Sequence, residues 1–426
     1  MSEKADQGVR ELLSSLVDGH TPDVGSALSQ VRAAGDARRR RAGITRTAVG
    51  AVFAFTFCAA VLVAGFQWGR ASREAQVPSA GSGAGAVSPQ AIVDTWGGTL
   101  AWASSDGGTT LNLTDSAGTT SLTLPEALSP GSPIALSPLG PAGGVLSYGG
   151  QGPVITFPGG TRTAAPGASG TANFSWAPGG RTFAFEACSS QIACQVELSS
   201  STSTSATSLA ASVGRGVTWS PDGMSVAYVA PGDSLSVADV ASGSSRALVS
   251  VGEVIQSSPQ LSSLPHASAH LLFPQWSPSG SFIAVTVELD SAYAPAVIGL
   301  DGKVVAVGET TEFGPPNVVW RAGTDELYYA TGPVEGGLPL DEVSTLWLLR
   351  GPDWTSTQVL ALPGEPIRGV FSSPDGSAIL FQTLNSAHSQ QSLGVGPPSL
   401  WWNVVDVASQ TLVERDDTQS QVFDWR

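Results

Sequence analysis

The alternation of apolar and polar positions divides the chain into unlike stretches. In residues 1–46 it is helical but weak. Val9, Leu12, Leu13, Leu16 and Val17 recur at i, i+3, i+4 spacing. Thr21-Pro22 then reads as an N-cap and first-turn proline ahead of Val24, Leu28 and Val31. Ala48 to Phe66 is 19 residues without a charge. As a helix it would be about 28 Å long, close to the hydrocarbon thickness of a bilayer. The pattern predicts one transmembrane helix over 47–68, with Trp68 at the interface and Cys58 as a small packing residue inside it. Residues 69–90 are rich in Gly, Ser, Ala and Pro and predict a flexible linker. From 91 to 426 the pattern is short apolar runs of strand length, separated by Gly/Pro turns.

These runs repeat. Trp176 opens WAPGGRTFAF, Trp219 opens WSPDGMSVAY, Trp276 opens WSPSGSFIAV and Trp320 opens WRAGTDELYY. Ser372 to Phe381 is SSPDGSAILF, and Ile134 to Tyr148 keeps Ser-Pro with Leu136 in the aromatic place. In each unit a strand ends on the marker residue. Pro, Asp and Gly then make a tight turn, because Pro fixes φ, Asp bonds back to the backbone and Gly tolerates positive φ. Further strands follow around turns such as Asp239 to Gly243 and Asp301-Gly302. A four-stranded antiparallel unit cannot bury both its faces alone, so such units must stack, and radial stacking is a β-propeller.

The first unit, from Gly98, supplies only three strands, and the last segment, QVFDWR, matches a first strand and stops. Val422 to Trp425 is therefore expected to pair with Leu100 to Ala103 and close the ring. The markers 136, 176, 219, 276, 320, 372 and 425, spaced 40 to 57 residues apart, predict an all-β fold with seven blades. Without position 136 the count would be six.

The Ser-Pro-Asp-Gly repeats resemble the WD-like propeller repeats of the TolB family and of the propeller domains of prolyl peptidases, over roughly 91–426. No TolB N-terminal domain precedes them. The resemblance implies a scaffold or sensor propeller outside the cytoplasmic membrane that binds a protein, peptide or glycan.

Charge adds orientation. Arg38 to Arg41 and Arg46 precede the apolar run, whereas only Arg70 and Arg73 follow closely. This bias places the N-terminus in the cytoplasm and the C-terminal part outside, so the expected location is the cell membrane, single-pass. The net charge of −15 divides into +2 for residues 1–66 and −17 for the remainder. An acidic external part excludes a nucleic-acid surface. Residues 1–41 offer a site for a cytoplasmic partner and resemble the tails of membrane-tethered anti-sigma proteins, without the His/Cys cluster of the zinc-binding kind. The plainer reading is a topology signal with anionic-lipid contact.

In an antiparallel four-strand blade, the 1–2 and 3–4 turns lie on one face, and the 2–3 loops and blade connections lie on the other. Extra length falls in the second set, at 186–193, 252–272, 288–295, 331–343 and 383–399. Long loops on a rigid scaffold are where binding residues gather. The expected ligand face therefore carries His266, His270, Tyr293, Glu335, Asp341, Glu342 and His388.

Other chemistry is sparse. Cys188 and Cys194 flank one 2–3 loop and are expected to form a disulfide in an oxidising compartment. His266 and His270 have helical metal-ligand spacing but no carboxylate nearby in the sequence, so no metal is expected. Ser104 to Leu111 resembles the Asp-box of sialidase-like propellers but falls in a 2–3 loop. There is no GxSxG elbow, phosphate loop or Ser/His/Asp set, so neither catalytic residues nor a cofactor are expected. The alternative is a glycosidase, lyase or sialidase-like propeller acting on envelope polymers through paired carboxylates that spacing cannot reveal.

Overall fold

The structure, a computed structural model, describes residues 88–104, 108–128, 133–149, 152–164, 173–190, 193–332, 343–363, 365–384, 400–418 and 420–426. The tail, the apolar run 48–66 and nearly all of the linker lie outside these residues. Among those described, no helix is long and apolar enough to cross a membrane.

The strands form seven four-stranded antiparallel sheets, and in six of them the strands follow chain order. The exception is blade one, whose first strand is Ser420–Trp425 and whose second is Leu100–Ser104. Leu100 pairs with Trp425, Ala101 with Asp424 and Trp102 with Val422, so the ring closes as the sequence implied. Thr99 and Arg426 also exchange backbone hydrogen bonds, and the Trp425 indole donates to Gly97 O at 3.1 Å.

Every marker ends an innermost strand: Leu136, Trp176, Trp219, Trp276, Trp320, Ser372 and Trp425 are each the last residue of theirs. In blades three and six the aromatic marker also bonds to the blade before. Trp176 Nε1 donates to Ala135 O at 3.0 Å, and Trp320 Nε1 donates to Gln275 O at 3.0 Å, each reaching the strand of the preceding blade. Buried apolar residues form seven clusters, one between each pair of neighbouring blades. This is what the need to cover both faces of each sheet demands.

The Ser-Pro-Asp-Gly turns interlock around one face. Gly223, at φ 73°, stands over Pro178 of the preceding blade, so that an added Cβ would lie 3.6 Å from its Cδ. Gly280 stands over Pro221 in the same way, and Gly98 is packed tightly on Pro374. That face is a closed rosette. Asp222 accepts from Ser220 Oγ at 2.5 Å and Met224 N at 2.9 Å, so its carboxylate is used inside its own turn. Those bonds, Ser220's first, hold its pKa below the ordinary value.

Among the described residues three short α-helices and one 3-10 turn, Gly140–Gly143, break the all-β pattern. Helix α1, Pro89–Trp96, begins on a Ser88 cap and wedges Ile92 and Val93 between blades seven and one. Helix α2, Val251–Ser257, has a capping box made by Ser250 and Glu253. Helix α3, Pro259–Ser262, follows on a Ser258 cap. Together α2 and α3 bury Val254, Ile255 and Leu261 over the interface of blades four and five.

Two of the expected long loops are strands instead. The second strand of blade three runs Thr182–Ser190 and the third runs Ala193–Ser200, pairing Cys188 with Cys194. In blade five the ladder continues to the Glu288–Tyr293 pair. Outward-leaning polar residues there are ladder positions at strand tips, which period-two alternation alone does not separate from loop. Of the other stretches, 333–342 and 385–399 lie outside the described residues.

Candidate functional site

Innermost strands have a ladder partner on one side only, and their other edge faces the ring axis. Here lies a cavity of about 310 Å³, lined by blades one to five. The lining follows a rule. Blades two to five each supply the three residues before the marker, from Pro133 to Ala135, Asn173 to Ser175, Gly216 to Thr218 and Phe273 to Gln275. Blade one adds Phe423, Asp424 and Arg426. Position −3 lies one residue before the innermost strand in blades two to four, so Asn173 and Gly216 stand at the mouth on the face opposite the rosette; Phe273 lies within its longer strand, His270–Trp276.

The walls expose more polar than apolar surface. Of the three phenylalanines in the lining only Phe273 is exposed; Phe174 packs on the core between blades two and three, and Phe423 on that between blades one and two. Phe273 is 43% exposed and sits at φ 51°, a left-handed conformation that a bulky residue rarely adopts. A register shift between Leu272 and Gln275 puts it there, and its N–H donates to Arg215 O at 2.7 Å. Such strain of about 1–3 kcal/mol persists only where surrounding contacts hold it.

The carboxylates around the cavity are engaged in holding blades together. Asp424 Oδ2 accepts from Leu136 N of the next blade at 2.9 Å and from Arg426 Nε at 3.0 Å. Glu186 is fully buried. Its Oε2 accepts from Asn173 Nδ2 at 2.9 Å and from Gly216 N of the next blade at 2.8 Å. Burial pushes its carboxyl above the ordinary 4.5, against the hydrogen bonds from Gly216, Asn173, Ser212 and Arg215. Asp233 is gripped between Arg215 and His270, whose Nδ1 is 3.2 Å away.

The residues expected on the ligand face are not gathered into one site. His270 opens the first strand of blade five and faces Asp233. The ring nitrogen of His266 is 2.7 Å from Leu264 O. Tyr293 donates to Glu288 Oε1 at 3.0 Å, and burial followed by that carboxylate raises its pKa. Glu335, Asp341, Glu342 and His388 lie outside the described residues. Among the described residues no three His, Cys, Asp or Glu side chains group as metal ligands. Cys188 and Cys194 are joined by a disulfide.

The cavity-lining residues were legible by one signal that the loop-length argument passed over, their fixed offset from each marker. Glu186 had no such signal, because only the fold brings it to Asn173 and Gly216.

No family model and no curated protein matches the chain. Solved structures do. The TolB of Acinetobacter baumannii aligns at 14% identity over 79% of this chain and 69% of its own, with a TM-score of 0.38. A structure of the same name from Agrobacterium tumefaciens aligns at 17% over 57% and 86%, with a TM-score of 0.40. An oligogalacturonate lyase in complex with manganese aligns at 14% over 68% and 74%, with a TM-score of 0.42. The chain is similar in fold to TolB. Likeness at this level concerns the fold alone, since binding proteins and enzymes both appear among the matches.

Proposed function

We propose that the protein is a membrane-tethered, non-enzymatic propeller, held by residues 48–66 with the ring outside the membrane, that binds a polypeptide segment of a partner in its axial cavity. The observation that carries this reading is the cavity wall. The exposed ring of Phe273 and the inward edges of the innermost strands offer one aromatic anchor and backbone hydrogen bonding, which suit an extended peptide. The carboxylates nearby are already bonded between blades, which favours binding over acid–base chemistry on envelope polymers.

The test uses the full chain, tagged and extracted in detergent from washed membranes, to capture material from an envelope extract. A peptide or protein is expected, and Phe273→Gly should lower its recovery about tenfold, as loss of a central aromatic anchor does. The same change relieves the left-handed strain, so the thermal midpoint should hold or rise. A chain absent from the membrane fraction removes the tether. Recovery indifferent to Phe273→Gly removes the cavity as the binding site, and capture of glycan alone replaces the ligand class.

A further inference from the structure

The disulfide stands apart from the cavity, yet an unbroken series of contacts joins the two. Cys188 lies two residues beyond Glu186 on the same strand. Both sulfurs rest on the backbone of Gly214, where an added Cβ would meet Cys194 Sγ at 2.8 Å and Cys188 Sγ at 3.1 Å. Gly214 is in a left-handed conformation at φ 73°. Its carbonyl accepts from Asn173 Nδ2 at 3.0 Å, and Asn173 also donates to Glu186, which in turn accepts from Gly216 N. Asn173 and Gly216 are themselves cavity wall. The segment from Gly214 to Gly216 is thus pinned on one side by the disulfide and on the other by a buried carboxylate.

We infer that the Cys188–Cys194 disulfide sets the shape of the cavity mouth between blades three and four, so that thiol–disulfide exchange there loosens the mouth. The inference rests on the reading of the cavity as the binding site only for its consequence; the coupling itself is a property of the fold. Cys194 is 2% exposed, whereas Cys188 is half-buried, so an incoming thiolate reaches the Cys188 sulfur. A dithiol reductant would form a mixed disulfide with Cys188, breaking the Sγ–Sγ bond, and Cys194 would leave as a thiolate and take up a proton. The reductant's second thiol would then release Cys188 and close its own disulfide, a balanced two-electron exchange. With the cross-link open, the ladder pairs Ala193–Ser190 and Gln195–Ala187 still hold the two strands, but the sulfurs are no longer fixed to each other beneath Gly214. Gly214 then loses its support, and the Asn173–Glu186–Gly216 bonds lose the surface they are braced against.

Hydrogen exchange on the intact full chain in detergent tests this, before and after reduction with dithiothreitol. Alkylation confirms that both thiols have formed. In the oxidised protein the Val213 N–H is held by Val229 O and the Gly216 N–H by Glu186. Uptake across 213–216 should rise about tenfold on reduction, while the blade-six strand Glu326–Thr331 keeps its rate. The Cys188→Ser/Cys194→Ser chain should match the reduced protein. An unchanged rate at 213–216 overturns the coupling. So does an equal rise in every blade, which makes the disulfide a general staple. No ligand enters this measurement, so its failure is distinct from a failed capture.

Discussion

On the rosette face, Asp222 accepts from Ser220 and Met224 within one turn, and Asp375 repeats this with Ser373 and Ser377. On the mouth face, Glu186 accepts from Asn173 of its own blade and Gly216 of the next, and Asp233 holds Arg215 and His270 from two blades. The same functional group closes a local loop in one place and ties distant segments in the other. Local closure needs only a short motif and can be repeated in every blade. The carboxylate ties on the mouth face use different positions in different blades, so they have no repeated motif. The regular face is therefore scaffold, and the departures from regularity accumulate where the cavity opens.

The seam between blades one and seven tests the scaffold most severely. Deleting residues 420–426 should lower the thermal midpoint by at least about 10 °C. Loss of a buried Trp alone costs about 3–5 kcal/mol, and each kcal/mol shifts a domain of this size by about 2–4 °C. Trp425→Ala should give the smaller part of that fall by scanning fluorimetry. An unmoved midpoint would mean the ring does not depend on its seam.

Glu186→Gln probes the mouth more gently, since an amide oxygen still accepts from Asn173 and Gly216. The folded-state pKa of Glu186 is raised above 4.5. Its contribution is then fully present below that value and is lost as pH rises through the raised one. The variant escapes that loss, so its midpoint relative to the native chain should climb as pH rises above about 4.5. A flat difference would show that the carboxylate carries no burial cost. Asp222→Ala on the rosette should matter least, about 0.5–1 kcal/mol for an exposed turn. Because hydrogen bonds hold that carboxyl below 3.8, its contribution is present above 3.8 and vanishes as pH falls through the lowered value. Capture by the cavity should be untouched; a change there would erase the contrast between the two faces.

What could be read in advance follows the same division. Turn chemistry and marker spacing are local, so seven blades and the seam were legible, including Leu136 as the weakest marker. The helices carried local signals as well. Ser88-Pro89 and Ser258-Pro259 have the cap-then-proline form of Thr21-Pro22, but they lie in stretches whose composition suggested linker and loop. The site was less legible. Loop length pointed to His266, His270 and Tyr293, whereas Phe273, exposed by a register shift, and Glu186, buried by its neighbours' glycines, acquire their roles only through contacts between blades.

Helix α1 gives the seam a mechanical character. Ile92 and Val93 bear on Ala378, Leu380 and Trp402 of blade seven and on Leu100 and Trp425 of blade one. A pull on the chain ahead of Ser88 thus arrives where the ring is joined and is shared between the two blades it joins. The ring is braced at the point where tension would enter it.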